Sequence, residues 1–403
     1  MATRKVTKRR PTVISPSSVS KRQQGQPRFG VDLLPQHFHA ALDAGNIPPQ
    51  PWQDLPRPTG QPPFHLNLES VLSAGQIQTI NASGKMIFHT VGDTGGVNET
   101  NDIENVASYM ENDFISGTPG TTPSFFYHLG DVVYYQGQAM NYFAQFYEPY
   151  QRYPGPIFAI PGNHDGDVDP TTGEKSLEAF VRNFCSSKAV HTPEAKDAPR
   201  DAMTQPNVYW TLETPLLTII GLYSNCPEGG QIKSDQLAWF ESELQAAPAD
   251  RALIVAVHHP IYSAYGPHPG SQHLKDVLEQ TCAKVHRLPD AVLTGHVHNY
   301  QRFSGVLSAR KVPFFVVGAG GYNHRLHVLG SAIHKAKLPL QMAGSKGNLE
   351  SYSDQQHGYM LVEVTKKKIT FTYFAVPDPG PGQPKTLKPF DSIAIPLNLT
   401  QSK

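Results

Sequence analysis

Five short apolar runs in this 403-residue chain each end in a block of glycine and metal-ligating residue types, and no other feature constrains the fold as much. Met86–Val91 runs into Gly92-Asp93-Thr94-Gly95, and Phe125–Leu129 into Gly130-Asp131-Val132-Val133-Tyr134. Ile157–Ile160 is followed by Pro161-Gly162-Asn163-His164-Asp165, Leu253–Val257 by His258-His259-Pro260, and Ala291–Thr294 by Gly295-His296-Val297-His298. Runs of this length bounded by glycine and proline read as buried strands. In open α/β sheets functional groups gather beyond the carboxyl ends of the strands. Five such ends can aim oxygen and imidazole ligands at one place.

The chain around these blocks alternates strand and helix. Lys85–Val91, Ser124–Leu129, Ile157–Ile160, Thr218–Tyr223, Leu253–Val257, Ala291–Leu293 and Phe314–Val317 are expected strands. Asn101–Ile115 has helical spacing, with Ile103, Val106, Met110 and Phe114 on one face, and Asn101 followed by Glu104 resembles a capping box. Ser234–Ala246, with Leu237, Phe240 and Leu244 inward, and Leu274–Val285 are two further helices, and Tyr359–Val364 with Lys368–Phe374 forms a hairpin. Such alternation means an α/β layered fold. Of the 36 prolines, 17 fall in residues 11–63 and 377–396, so these flanks are neither regular helix nor central strand.

Charge sets limits on partners. Residues 1–28 hold eight Lys/Arg and no acid, which leaves 26 basic against 34 acidic residues in the remainder. A basic, aperiodic tail is therefore joined to a mildly acidic body that is not built for nucleic acid. The longest strongly apolar run, Ala252–Val257, is far short of the roughly 20 residues of a membrane helix, so no integral membrane association is expected. The tail lacks an apolar signal-peptide core, so the expectation is a cytoplasmic protein or one exported without a cleaved N-terminal signal. Cys185, Cys226 and Cys282 are too scattered for a disulfide framework and are expected to be buried small hydrophobes.

A pair of adjacent metal ions needs oxygen and nitrogen ligands, with one carboxylate able to bridge. Asp93 and Asp131 supply carboxylates, Asn163 an amide oxygen, and His258, His296 and His298 imidazoles; Tyr134 adds a phenol. Each block taken singly is an ordinary turn; five in order, each behind an apolar strand, are not. The set resembles the calcineurin-like metallophosphoesterases, and within them the purple acid phosphatase branch. That branch has D-x-G, G-D-x-x-Y, G-N-H-D/E, V-x-x-H and G-H-x-H. Here these stand as Asp93-Thr94-Gly95, Gly130-Asp131 with Tyr134, Gly162-Asn163-His164-Asp165, Val255 with His258, and Gly295-His296 with His298. Other branches place His where Gly95 stands and lack the tyrosine. Asn299-Tyr300-Gln301-Arg302 and Gly318-Ala319-Gly320-Gly321 are also similar to that branch, and the resemblance covers roughly residues 85–375.

The resemblance implies a four-layer α/β/β/α sandwich with Pro-rich flanking segments. Charge and proline content outside the matching region, together with the resemblance, divide the chain into a disordered basic tail (1–26), a Pro-rich arm (27–84), a catalytic domain (85–376) and a Pro-rich C-terminal extension (377–403). The resemblance implies a binuclear-metal acid phosphatase that hydrolyses phosphate monoesters by in-line attack of a metal-bound hydroxide. Fe(III) would be held by Asp93, Asp131, Tyr134 and His298. A second, divalent ion (Fe, Zn or Mn) would be held by Asp131, Asn163, His258 and His296, with Asp131 bridging. His164 would assist the leaving group, and His268, a looser match, would contact the small-molecule phosphate ester. A phosphodiesterase of the same superfamily and a non-catalytic scaffold on this fold are the alternatives; no ligand is missing to favour the scaffold. His259 and Tyr135 are expected to point away from the metals, and His324, His327 and His334 to be exposed loop histidines.

Overall fold

The computed structural model describes residues 53–399, apart from 97–99, 118–119, 169–172, 225–229, 323–325, 343–345, 381 and 384–385. The basic tail, the first part of the Pro-rich arm, Cys226 and His324 lie outside the described residues.

The strands are β1 (His65–Asn67), β2 (Lys85–Val91), β3 (Phe126–His128), β4 (Ile157–Ala159), β5 (Trp210–Glu213), β6 (Leu217–Leu222), β7 (Ala252–Val257), β8 (Ala291–Thr294), β9 (Tyr300–Leu307), β10 (Arg310–Val317), β11 (Leu340–Gln341), β12 (Asn348–Ser353), β13 (Gly358–Thr365), β14 (Lys368–Ala375) and β15 (Asp391–Pro396). They form a nine-stranded sheet, β1-β5-β6-β7-β8-β10-β9-β12-β11, and a six-stranded sheet, β15-β14-β13-β2-β3-β4. β2, β3 and β4 run parallel, as do β6, β7, β8 and β10, so their carboxyl ends can gather on one side.

Strand period explains the layering. Along β7, Ile254 and Ala256 belong to the large core between the sheets. Leu253, Val255 and Val257 face the opposite way, into a second core shared with Phe240, Leu244, Leu274 and Leu278. Those four residues lie on the helices Ser234–Ala246 and Gln272–Val285. β8 and β10 split in the same manner, with Leu293, Phe315 and Val317 inward and Val292, Phe314 and Val316 outward. A strand covered on both faces reads as a continuous apolar run because alternate residues enter different cores. Aromatic pairs tie the two sheets together: Phe315–Phe371 at 4.6 Å and Tyr300–Tyr373 at 4.0 Å between ring centroids. On the six-stranded side, the helix Asn101–Ser116 buries Ile103, Val106 and Met110, and Phe114 is only partly buried. The result is the expected α/β/β/α layering.

The structure corrects two local expectations. Thr100, not Asn101, precedes the first turn of the helix Asn101–Ser116, and its hydroxyl donates to the Glu104 carboxylate (2.6 Å). In the helix Ser234–Ala246, polar Gln236 and Glu243 are buried and Leu237 only half so. Gln236 bonds both main-chain groups of Tyr223 (2.9 and 2.8 Å), and Glu243 meets His65 and Thr211 (2.7 and 2.5 Å), so both have partners in the interior. In agreement with the expectation that the flanks hold no central strand, the proline-rich C-terminal segment carries an edge strand, β15, which pairs with β14 and places Pro396 at its last position. An edge position is where a strand tolerates proline. Asp391 on β15 receives the Arg302 guanidinium (2.7 and 3.2 Å) and the Tyr300 hydroxyl (2.8 Å), linking this segment to the other sheet.

Candidate metal centre

The five polar blocks leave the strands at the same end and are stitched to one another by main chain. Gly92 N–H donates to Val317 O (2.9 Å), Asp93 N–H to Gly130 O (2.9 Å), and Gly295 N–H to His258 O (2.9 Å). Three of the donor residues sit in the left-handed region: Asp93 (φ 57), Asp131 (φ 54) and His296 (φ 69). That region costs a non-glycine residue about 1–2 kcal/mol, so the fold holds these three against a local preference. Such strain collects where side chains must be aimed.

The donors form two groups. In the first, the Tyr134 hydroxyl lies 3.3 Å from both Asp93 Oδ1 and His298 Nε2, and His298 Nε2 is 3.5 Å from Asp93 Oδ1. In the second, Asn163 Oδ1 is 3.1 Å from His258 Nε2 and 3.1 Å from His296 Nδ1, and His258 Nε2 is 3.3 Å from Asp131 Oδ2. The two meet where His258 Nε2 comes within 4.0 Å of Asp93 Oδ1. Ligand atoms of Asp131, His258 and His296 all fall within 4.8 Å of one another, all three residues buried.

The proton inventory shows what this arrangement lacks. His258 Nδ1 is 2.8 Å from the Leu129 carbonyl, which can only accept, so Nδ1 carries the proton. Its Nε2 then faces only acceptors, Asn163 Oδ1 and Asp131 Oδ2. Burial opposes charging the His258 ring, but Asp131 and Asp93 outweigh it and lift its pKa to about 10. Burial likewise pushes the Asp131 carboxyl up, and the neighbouring His258 and His164 carry it well below the usual range. Asp93 is driven well above the usual carboxylate range by burial, despite His258 beside it. Burial and the two carboxylates push the Tyr134 phenol well up. Hard oxygens and imidazole nitrogens sharing so little positive charge fit transition-metal cations, which would take the place of these protons.

The remaining candidates divide. The His164 N–H donates to Asp131 Oδ1 (3.0 Å), and its ring Nδ1–H to the Tyr135 carbonyl (2.8 Å), so this half-buried side chain flanks the donors with its ring fixed. His268 comes to the edge of the site, with its ring 4.9 Å from that of His296. His259 does not point into solvent. It is buried, bonds Ser224 Oγ (2.7 Å), and rests 4.4 Å from the His296 ring. Tyr135 is buried against Tyr134 and Tyr322 and offers the site its carbonyl. His334 pairs with Asp354 (2.7 Å) at a distance in sequence from the donors, while His327 stacks directly on His298, against expectation.

Several residues support the donors; Gln145, His128 and Tyr322 carried no usable sequence signal, whereas Asp165 and Gly95 stand within the five blocks. Gln145 clamps both main-chain groups of Tyr134 (2.7 and 3.0 Å). His128 accepts from Gly130 N–H (3.1 Å) and donates to Thr94 Oγ1 (2.9 Å), joining the first two blocks. The Asp165 carboxylate accepts from Val132, Val133 and Gly162 N–H (2.9–3.2 Å), holding the second block to the third. Tyr322 stacks on Tyr134 at 4.1 Å. Gly95 has a steric reason: a Cβ there would run into Gln145 Oε1 and lie 2.8 Å from Tyr134 Cδ2, so the Gln145 amide and the phenol ring together occupy the space a side chain would need.

Fold and donor geometry together describe a metallophosphoesterase. The chain belongs to the calcineurin-like phosphoesterase family, whose profile matches residues 86–300. Among curated relatives, the Fe(3+)-Zn(2+) purple acid phosphatase 12 of Arabidopsis thaliana is 24% identical over 318 residues, 73% of this chain and 60% of that one. Purple acid phosphatase 21 of the same plant is 24% identical over 173 residues, 41% of this chain and 36% of the relative. The chain thus spans between about a third and three fifths of these relatives' lengths. The solved purple acid phosphatase PPD1 from yellow lupin (Lupinus luteus) seeds superposes with a TM-score of 0.54 at 15% identity, covering 77% of this chain and 54% of that one. GAP50, titled the anchor in the inner membrane complex of Plasmodium, superposes at 0.52 and 15% identity, covering 79% and 90%. An architecture shared by a phosphatase and an anchor does not decide activity; the donor set must. No helix among the described residues is long and apolar enough to cross a membrane.

Proposed function

We propose that this chain is a binuclear-metal acid phosphatase acting on phosphate monoesters, with a ferric ion in one position and a divalent ion in the other. The observation that carries this reading is the sorting of seven buried donors into two adjacent groups, one of them containing a phenol. Asp93, Tyr134 and His298 would hold the ferric ion, Asn163, His258 and His296 the divalent ion, and Asp131 would bridge. Bound there, the ions supply Lewis acidity toward the phosphate and a water of lowered pKa.

The chain's own residues do the rest. Leu129 O fixes the His258 tautomer, so Nε2 is the nitrogen presented to the site. The Tyr135 carbonyl holds His164 Nδ1–H, so Nε2 of that ring faces outward from the anchor and can carry the proton needed by the departing oxygen. His268, beside His296, borders the place where the phosphate would lie. No covalent intermediate is required, because water is the nucleophile and the alcohol is the leaving group.

A panel of aryl phosphate monoesters and matching diesters, assayed across pH on metal-analysed protein, tests the reading. The expected result is two metals per chain and a higher kcat/KM for the monoester, with an acidic optimum. A clear diester preference would favour the phosphodiesterase alternative, and metal-free, inert protein would favour a scaffold role. The ferric assignment has its own test. A phenolate on Fe(III) donates charge in the visible range, so the oxidised protein is expected to be violet to pink. Tyr134→Phe should abolish the colour and leave the fold, since only the oxygen is lost, while Tyr135→Phe should leave the colour unchanged. A colourless, fully active protein with two divalent ions would remove iron from the scheme.

A further inference from the structure

Two proposed ligand histidines are held in different ways. His258 follows the usual rule, in which the second ring nitrogen of a ligand histidine is fixed by a hydrogen bond, here from Nδ1–H to Leu129 O (2.8 Å). His298 turns Nε2 toward Tyr134 and Asp93, but its Nδ1 is buried with no hydrogen-bond partner among the described residues. Something else must orient that ring.

His327 is placed to do so. Its ring lies 4.2 Å from the His298 ring at an interplanar angle of 12°. It also grips the main chain: His298 N–H donates to His327 Nδ1 (3.1 Å), His327 N–H to His298 O (2.9 Å), and the Asn299 amide to His327 O (2.6 Å). His327 is itself braced. Tyr265, from the loop after β7, stacks on it at 4.4 Å and 7°, and His268 lies at 5.1 Å and 14°. Two residues on, buried Leu329 donates its N–H to Asp354 (2.8 Å), which anchors the loop.

Resting on the metal-centre reading above, we propose that His327 is a positioning residue that fixes the ring of His298 by stacking, where the described residues offer its Nδ1 no hydrogen-bond partner. Stacking sets the plane of a ring as a hydrogen bond sets its direction, and parallel-displaced rings at 4–5 Å are a favourable aromatic geometry. The proposal makes the outer loops, through Tyr265 and His327, part of the support for the metal site.

The test uses full-length protein loaded with its metals, compared as wild type, His327→Ala, His327→Phe and Tyr265→Leu. Metal release into EDTA is followed by metal analysis, with the visible band as a second readout, and circular dichroism confirms the fold. His327→Ala should hold the metal near His298 roughly 10–100-fold less well, the usual range for residues supporting a ligand, and should shift the visible band. His327→Phe keeps a flat ring and should stay near wild type. Tyr265→Leu should move both readouts in the alanine direction by less. Wild-type release and an unchanged band in His327→Ala would overturn the positioning role. A phenylalanine variant as leaky as the alanine one would overturn stacking as its cause. Wild-type protein that takes up no metal would sink the metal-centre reading itself and this proposal with it, so the two failures are distinguishable.

Discussion

Asp131→Asn is expected to lower phosphatase activity by about 10³-fold or more and to reduce metal content from two ions per chain to one or none. Asp131 has φ 54, a conformation that asparagine tolerates nearly as well as aspartate and that alanine does not. The His164 N–H, 3.0 Å from Asp131 Oδ1, keeps an acceptor in the asparagine variant. Shape, main-chain geometry and this hydrogen bond therefore survive, and what goes is the negative charge. That charge is what His258 faces at 3.3 Å, and it also acts on the Asp93 carboxyl and the Tyr134 phenol of the other group. A neutral amide oxygen cannot compensate two cations, so both positions should weaken. Metal analysis, circular dichroism and kcat/KM on one preparation check the outcome. A fully loaded, active Asp131→Asn protein would remove the bridging role.

His164→Ala should cost about 10²–10⁴-fold in kcat while both metals remain bound, the range for a lost general acid. Its ring Nδ1–H is held by the Tyr135 carbonyl and its ring lies 4.5 Å from that of Tyr134, while its main-chain N–H donates to Asp131. Alanine retains that N–H. The loss should grow with the basicity of the leaving alcohol, because a poor leaving group depends most on the donated proton. Alkyl phosphates should therefore suffer more than nitrophenyl phosphate. Equal losses across leaving groups would remove the proton-donor role, and a collapse in metal content would place His164 among the ligands.

The site and fold were not equally legible in the sequence. Asp93, Asp131, Tyr134, Asn163, His258, His296 and His298 could be picked out because each sits at a fixed short step beyond an apolar run, and local spacing survives in one dimension. Strands covered on both faces, such as β2 and β7, were likewise plain, being continuous apolar runs. Strands β5, β9, β12 and β15 were not anticipated. β9 alternates buried and half-exposed residues, and β15 lies in a proline-rich segment that earns its place only by pairing with β14. Buried Glu243 on an otherwise amphipathic helix was unreadable too, because its partner His65 is 178 positions away.

What the sequence determines by itself is the supply of chemistry: which ligand types exist, which strand end each leaves from, and that glycine stands beside most of them. What only tertiary structure decides is how that chemistry is aimed. The left-handed turns at Asp93, Asp131 and His296, the Leu129 carbonyl that selects the His258 tautomer, and the stacking of His327 on His298 all join segments far apart in the chain. Gly95 shows the division most simply. The sequence shows only Asp93-Thr94-Gly95, and it is the resemblance that singles out the glycine, but its physical reason is the Gln145 amide and the Tyr134 ring, which fill the space a side chain would need. Periodicity reports which face of an element is buried, whereas ligand orientation depends on contacts between elements, and these exist only once the two sheets have packed.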